Sequence, residues 1–356
     1  MATIRAAFTD PTTGISMSNT NEGSAALSRR QVLSIVAASG ALGLAWKFGL
    51  PGASKARTAT ATRTLMGTTL HLTVVGDDAD AARSAVDATL ARMAELEAAL
   101  TRYRDDSEVG RLNLTGSIDD AGDDLLALLD LGRDLSEKGD GAFDVTVQPL
   151  LSLYRDELRT NHVLPNAGQI AERLPLVDFR AVRVDGRRVS LARKGMEITL
   201  DGIGKGYIVD RGIETLKQHG FANVLVEAGG DLVASGSKAP AQPWRIGIRR
   251  PRPNGTVLRF DAQDRAIATS GDYLQPFVPD CSVHHILDPR TGLSAPELAS
   301  STIVAPTAAL ADGLATLTMV LGSERSRSLI EDLADCEGCF IGKDLSVART
   351  SGFRTI

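Results

Sequence analysis

The chain of 356 residues has only three cysteines, Cys281, Cys336 and Cys339, and the last two make a single Cys-x-x-Cys. One such pair without a second is poor support for zinc, and no thioredoxin-like βαβ pattern surrounds it. The pair is expected to be either a local disulfide or two bystander thiols. Basic excess is also missing: 39 Lys and Arg stand against 44 Asp and Glu, a formal net charge of −5, so there is no electrostatic footprint for nucleic acid. No apolar run is long enough to span a bilayer comfortably. Internal repeats are absent, and no glycine turn has the Walker or the Gly-x-Gly-x-x-Gly spacing. What remains is an ordinary globular composition, 43% hydrophobic and 23% charged, with room for one large or two smaller domains.

The N-terminus is set apart before any reading of the fold. Ser28-Arg-Arg-Gln-Val-Leu33 followed by an apolar run to Trp46, with a small-residue exit at Ser54-Lys-Ala56, has the pattern of a twin-arginine export signal. No cysteine lies there to carry a lipid. Residues 1–56 are thus expected to be signal and linker, and the mature protein to be exported and periplasmic.

The mature chain is organised around Glu197-Ile-Thr-Leu-Asp-Gly-Ile-Gly-Lys-Gly-Tyr-Ile-Val-Asp210. Alternation at Ile198 and Leu200 suggests a half-buried strand, and the apolar spacing from Tyr207 to Leu216 suggests a helix. Between them, Gly202, Gly204 and Gly206 surround Lys205, a turn in which backbone can approach an anion at a helix N-terminus. Taken alone, such a turn is more often plain punctuation.

Around this stretch the pattern predicts a small Ala/Thr/Arg-rich linker, then a strand over 63–75, or two strands broken at Met66-Gly67. A helix follows over 80–100, a polar loop carrying Tyr103 over 100–113, and a second helix over 123–138. Gly139 to Leu150 brings Gly141 and Ala142 for close approach, Phe143 as a flat face and Asp144 as an acceptor. Residues 151–196 read as connecting structure. Strands are predicted at 223–231, ending in a double glycine, and at 244–249, 266–273, 283–292 and 301–305. On a strand over 283–292 His284 and His285 would point to opposite faces, so at most one faces a given site. The last helix, 308–321, puts Asp312 and Thr316 on one face, where a carboxylate and a hydroxyl could share a small cation; a solvated Asp beside a back-bonded Thr is the plainer alternative.

Taken together these segments resemble the ApbE family of FAD:protein FMN transferases. The resemblance runs in order through Met66-Gly-Thr68, Tyr103, Ser107-Glu108, Gly141-Ala-Phe-Asp-Val-Thr146, Gly204-Lys-Gly-Tyr207 with Asp210, Gly229-Gly-Asp231, Ala268-Thr-Ser-Gly271, His285-Ile-Leu-Asp-Pro-Arg-Thr-Gly292, Ala311-Asp312 and Thr316. It implies an α+β, T-fold-like architecture over residues 57–356, with two closely packed lobes of mixed sheet, covering helices and the FAD site between the lobes. It implies FAD contacts from Met66, Tyr103, Ala142, Phe143, Asp144, Thr199, Lys205 and the Ile286 backbone. Mg²⁺ would be held by the Gly202 carbonyl, Asp312 and Thr316, with phosphate oxygens completing the shell, and His285 would take the proton from the target hydroxyl at a pKa near its unperturbed ~6.5. Many relatives have Asp where this chain has Thr199. Asp201, two residues on and on the same face of a strand, is offered as the replacement.

The activity so implied is Mg²⁺-dependent transfer of FMN from FAD to a Thr or Ser of an exported or membrane flavoprotein, with release of AMP. The partners are FAD and that acceptor protein, with no nucleic acid, and with membrane contact only through the acceptor or an uncleaved signal. The alternatives are an FAD pyrophosphatase giving FMN and AMP, a non-catalytic FAD-binding or delivery protein in the maturation of respiratory complexes, and a thiamine-pathway or iron–sulfur maturation factor. Only Cys336 and Cys339 invite the last of these.

Overall fold

The structure is a computed structural model that describes residues 57–239, 242–249, 251–252 and 258–355. The proposed export signal lies outside the described residues. All described residues belong to one unit, Leu44–Ile356.

The class is α+β, as expected. The strands are β1 (Arg57–Leu65), β2 (Thr68–Gly76), β3 (Ser117–Ile118), β4 (Val182–Asp185), β5 (Arg188–Leu191), β6 (Asn223–Ala228), β7 (Asp231–Ser235), β8 (Trp244–Ile248), β9 (Leu258–Ala262), β10 (Arg265–Gly271), β11 (Leu298–Ala305), β12 (Glu337–Gly342) and β13 (Val347–Arg349). The helices are α1 (Ala79–Leu100), α2 (Glu108–Thr115), α3 (Asp123–Lys138), α4 (Gln148–Thr160), α5 (Ala167–Arg173), α6 (Gly204–Gln218), α7 (Ala308–Leu321) and α8 (Ser323–Glu331). One eight-stranded sheet runs in the order β1-β2-β6-β7-β10-β11-β12-β13, beside a three-stranded sheet β3-β5-β4 and the hairpin β8-β9. Among the described residues every strand pair is antiparallel, rather than mixed in direction.

The large sheet buries both faces, and period-two alternation decides what goes where. Leu70, Leu72 and Val74 of β2 with Val224, Val226 and Ala228 of β6 turn to the side carrying α1, α6 and α7. Leu232, Ala234, Ile267 and Cys339 turn the other way, beneath Trp244, Ile246 and Ile248 of β8 and Phe260 of β9. Cys336 belongs to the helical side and Cys339 to the hairpin side, and all three cysteines are free. Bystander thiols are therefore what the fold makes of the Cys-x-x-Cys, because the sheet stands between them.

Helix α1 starts where the Asp78 carboxylate accepts from Asp80 N and Ala81 N at 3.0 Å each. Its buried stripe includes Val86, Met93, Leu96 and Leu100. Helix α6 lies against α1 and α7. Its approach to α7 depends on Gly206, where an added Cβ would stand 2.5 Å from the Ala308 carbonyl carbon and 2.9 Å from Ala309 N. Asp210, one turn on, accepts from Ala308 N at 2.8 Å and Ala309 N at 2.9 Å, so a carboxylate of one helix caps the next.

Four local expectations are corrected. The Ala/Thr/Arg-rich stretch expected as linker is the first half of β1, paired with β2 from Arg57 to Leu65. The polar loop expected through Asn113 ends at Ser107, whose hydroxyl accepts from Gly110 N at 2.8 Å and so starts α2. Residues 197–201 form no strand; Ile198 gives its N–H to Asn113 Oδ1 at 2.7 Å and its carbonyl receives Asn113 Nδ2 at 2.9 Å, while Thr199 N goes to Val145 O at 2.7 Å. The region 283–292 is a loop with only single bridges, Pro276 to His284 and Leu287 to Ser294.

Candidate active site

A cavity of about 540 Å³ opens where the Met66 turn, the end of α1, the 142–155 segment, the start of α6, the end of β10, the His285 loop and α7 converge. Every residue given a cofactor, metal or catalytic role from the sequence lines it: Met66, Tyr103, Ala142, Phe143, Asp144, Thr199, Asp201, Gly202, Lys205, His285, Ile286, Asp312 and Thr316. What these side chains do there differs from one to the next.

Met66 has φ +52, a left-handed backbone that a side chain seldom adopts, and Gly67 follows at φ +67. The turn joining β1 to β2 is held by Glu97, whose carboxylate receives Met66 N at 2.7 Å. Ala142 and Phe143 are buried in the wall. The Asp144 carboxylate is engaged by the protein itself, since Oδ1 receives Thr146 N at 2.7 Å and Thr146 Oγ1 at 2.6 Å while Oδ2 receives Phe179 N at 2.9 Å. Burial raises its pKa and these bonds oppose the rise. Asp144 is thus an acceptor, as its residue type suggested, and three of its bonds are to the protein itself and fix the wall.

Thr199 and Asp201 do not share a strand face, because there is no strand. Thr199 is buried and its hydroxyl receives Asp201 N at 3.2 Å. The Asp201 side chain is about half exposed and receives Arg102 Nε at 3.1 Å and Nη2 at 3.0 Å. Ile286 is buried, with its N–H given to His284 Nδ1 at 3.3 Å and its carbonyl receiving Ala295 N at 3.0 Å.

Oxygen donors gather at the start of α6. Asp312 is buried; its Oδ2 receives Gly206 N at 3.0 Å and lies 3.9 Å from Lys205 Nζ. Lys205 also pairs with the buried Asp231, the first residue of β7 after the Gly229-Gly230 turn. Burial raises the Asp312 pKa, with the Lys205 charge opposing. Because Gly206 N–H goes to Asp312, it is not available to Gly202, the carbonyl one turn back, and among the described residues no backbone N–H bonds Gly202 O. Gly202 also abuts Thr316: an added Cβ would meet Thr316 Oγ1 at 3.3 Å. The Thr316 hydroxyl lies 3.3 Å from Ser270 Oγ. A free carbonyl, a buried carboxylate and a hydroxyl side by side form a hard-oxygen donor set that suits Mg²⁺. Among the described residues no three His, Cys, Asp or Glu cluster as metal ligands, here or elsewhere, and a single carboxylate leaves most of a coordination shell to be filled by neutral oxygens and by substrate.

The two histidines divide as alternation predicts, although on a loop. His284 is buried, with Nδ1 accepting from Ile286 N and Nε2 on Ala295 O at 3.0 Å, which assigns its proton to Nε2. His285 borders the cavity, and its Nδ1 is buried with no partner. Burial, then the neighbouring His284, push the His285 pKa down to about 4. This corrects the expected value near 6.5: desolvation disfavours the imidazolium, so the ring is neutral throughout the physiological range. Helix α4 supports its loop through Tyr154, whose hydroxyl donates to Gly292 O at 3.0 Å and whose ring stacks on Phe277 at 5.3 Å.

Several cavity residues escaped sequence reasoning. Arg155 lines the wall from the segment read as mere connection, and among the described residues it has no carboxylate partner. Glu97 and Ser270 act by holding Met66 and Thr316, and no local pattern marks them. Asp231 did carry a signal, since it follows the double glycine.

The comparisons agree with this geometry. A model described as "ApbE family" matches residues 66–340. The chain belongs to the ApbE family. Relatives called FAD:protein FMN transferase include one from Treponema pallidum, 32% identical over 290 residues covering 76% of this chain and 80% of that protein, and one from Salmonella typhimurium, 31% identical over 281 residues covering 74% and 79%. Among solved structures, the flavin transferase ApbE from Vibrio cholerae superposes with a TM-score of 0.73 at 28% identity, covering 84% of this chain and 99% of that one. Pseudomonas stutzeri flavinyl transferase ApbE in its apo form gives 0.72 at 30% identity, covering 83% and 95%.

Proposed function

We propose that this protein transfers FMN from FAD to a Thr or Ser hydroxyl of an acceptor protein, with AMP as the second product. The observation that carries the reading is the meeting of Gly202 O, Asp312, Thr316, Lys205 and His285 at one cavity in a member of the ApbE family. In the reaction the hydroxyl oxygen bonds the FMN-side phosphorus, the bridging P–O bond breaks, and AMP leaves with that oxygen. The hydroxyl proton goes to His285, whose neutral ring is ready to receive it.

The rest of the site stabilises charge rather than forming covalent bonds, which suits phosphoryl-type transfer. Lys205, fixed by Asp231 and Asp312, places an ammonium at the helix start where phosphate oxygens would lie. Gly202 O, Asp312 and Thr316 would hold Mg²⁺, which when bound neutralises the pyrophosphate. Phe143 and Met66 offer apolar walls to the flavin or adenine. The paired arginines and apolar run of residues 29–46 support action outside the cytoplasmic membrane, on exported or membrane-bound acceptors.

The test is incubation of the protein with FAD, Mg²⁺ and a flavin-acceptor domain, read by acceptor mass and AMP. Addition of one FMN with one AMP, abolished by EDTA and by Asp312→Ala, is expected. Free FMN and AMP with unmodified acceptor would replace the transferase by a pyrophosphatase, and intact FAD on the protein would leave a binding module.

A further inference from the structure

We infer that Arg102 and Asp201 form a latch across the cavity mouth that positions the Tyr103 ring for FAD, making both of them positioning residues and relieving Asp201 of any direct contact with the cofactor. The inference rests on the FAD reading of the site.

Arg102 and Asp201 lie 99 residues apart, the first in the loop leaving α1 and the second in the turn entering α6. These are two walls of the same cavity. Two guanidinium nitrogens of Arg102 reach one Asp201 oxygen at 3.1 and 3.0 Å. The Arg102 side chain is only 8% exposed, so the charge is held in a covered position where a partner matters more than at a free surface. Its guanidinium carbon lies 4.0 Å from the Tyr103 ring centroid, and Nη2 donates to the Tyr103 hydroxyl.

Tyr103 itself is 72% exposed, and its remaining polar contact is a backbone one, Tyr103 N to Thr101 Oγ1 at 3.3 Å. The orientation of the ring is therefore set by Arg102, and that of Arg102 by Asp201. A large aromatic face standing in solvent at the rim of a cavity is costly to leave unused and well placed to lie on a flat heteroaromatic ligand. With the latch closed, the ring is ordered before FAD arrives, and less freedom remains to be lost on binding.

The test uses the whole protein labelled with 3-fluorotyrosine, the Tyr103 ¹⁹F signal being assigned by Tyr103→Phe, together with FAD titration. In Arg102→Gln and in Asp201→Asn the Tyr103 signal is expected to move in the same direction and narrow, and the FAD Kd to rise about five- to tenfold in each. The double variant should be no worse than either single one, because both remove the same latch. A Tyr103 signal unmoved by either substitution overturns the inference. So does a raised Kd in Asp201→Asn with an unchanged one in Arg102→Gln, which would put Asp201 on FAD itself. Wild-type protein that binds no FAD would count against the transferase reading, and the ring signal would still decide the latch.

Discussion

Substituting the two glycines that flank Lys205 by alanine should have opposite effects, though they lie two residues apart in one helix. At Gly206 the new Cβ falls 2.5 Å from the Ala308 carbonyl carbon and 2.9 Å from Ala309 N, both backbone atoms of α7. No side chain can rotate away, so the helices must separate by about 1 Å to restore ordinary packing, and overpacking of this kind costs ~3 kcal/mol. In a domain of this size the loss lowers Tm by about 6 °C. The separation also draws Gly206 N away from Asp312 Oδ2, now 3.0 Å apart, and moves α7 with its Asp312 and Thr316 relative to Gly202. FAD affinity should fall about tenfold, a loss of ~1.4 kcal/mol. At Gly204 the nearest atom to a new Cβ is Leu200 Cβ at 3.4 Å, an ordinary contact, and the backbone there is not left-handed. Gly204→Ala should gain ~0.5 kcal/mol by restricting the unfolded chain. Calorimetry and FAD titration of the two variants decide the matter. A Gly206→Ala protein with wild-type Tm and wild-type FAD affinity would refute the claim that the α6–α7 approach builds the site.

Other outcomes follow from the buried groups. Asp210 has its pKa raised to about 6, chiefly by burial, so its contribution to stability is greatest below its unfolded value and is lost as pH rises through 6. Relative to wild type, Asp210→Asn should become more stable by ~2–3 kcal/mol between pH 4 and 7, as measured by urea unfolding. His285, lowered to about 4, has the opposite sign: its contribution is complete above ~6.5 and lost as pH falls through 4, so His285→Gln should gain relative to wild type on acidification. In the proposed transfer, with His285 taking the hydroxyl proton, kcat/KM should show an acid limb near pH 4 to 5, and a limb at 6.5 would contradict the desolvated ring. Arg155 lowers the His285 pKa through its charge, so Arg155→Gln should move that limb upward, whereas an unmoved limb would separate the two residues. Thiol titration of the denatured, unreduced protein should find all three cysteines free, and one free thiol would mean that Cys336 and Cys339 pair despite the sheet between them.

Legibility followed the range of the interaction. Helices α3 and α7 could be bounded from the sequence because a 3.6-residue apolar period is a local property. The stretch around Thr199 misled for the same reason: alternation of Ile198 and Leu200 imitates a strand, and only the approach of Asn113 and Val145 shows that no strand pairs there. Asp144 was legible as an acceptor but not as one bonded to the wall, since one of its partners, Phe179 N, lies 35 residues on.

The sequence by itself determined the order of the motifs and, through their resemblance to one family, the α+β class and the site residues those motifs carry, but not Glu97, Arg155 or Ser270 of the cavity lining. Tertiary structure alone decided what each of them is free to do. Gly202 has an open carbonyl because Gly206 N–H turns to Asp312, His285 is neutral because its ring is desolvated where it sits, and Asp201 meets Arg102 because two distant turns form one mouth. Hydrogen-bond capacity and desolvation belong to neighbours in space, and those neighbours exist only once the chain has folded.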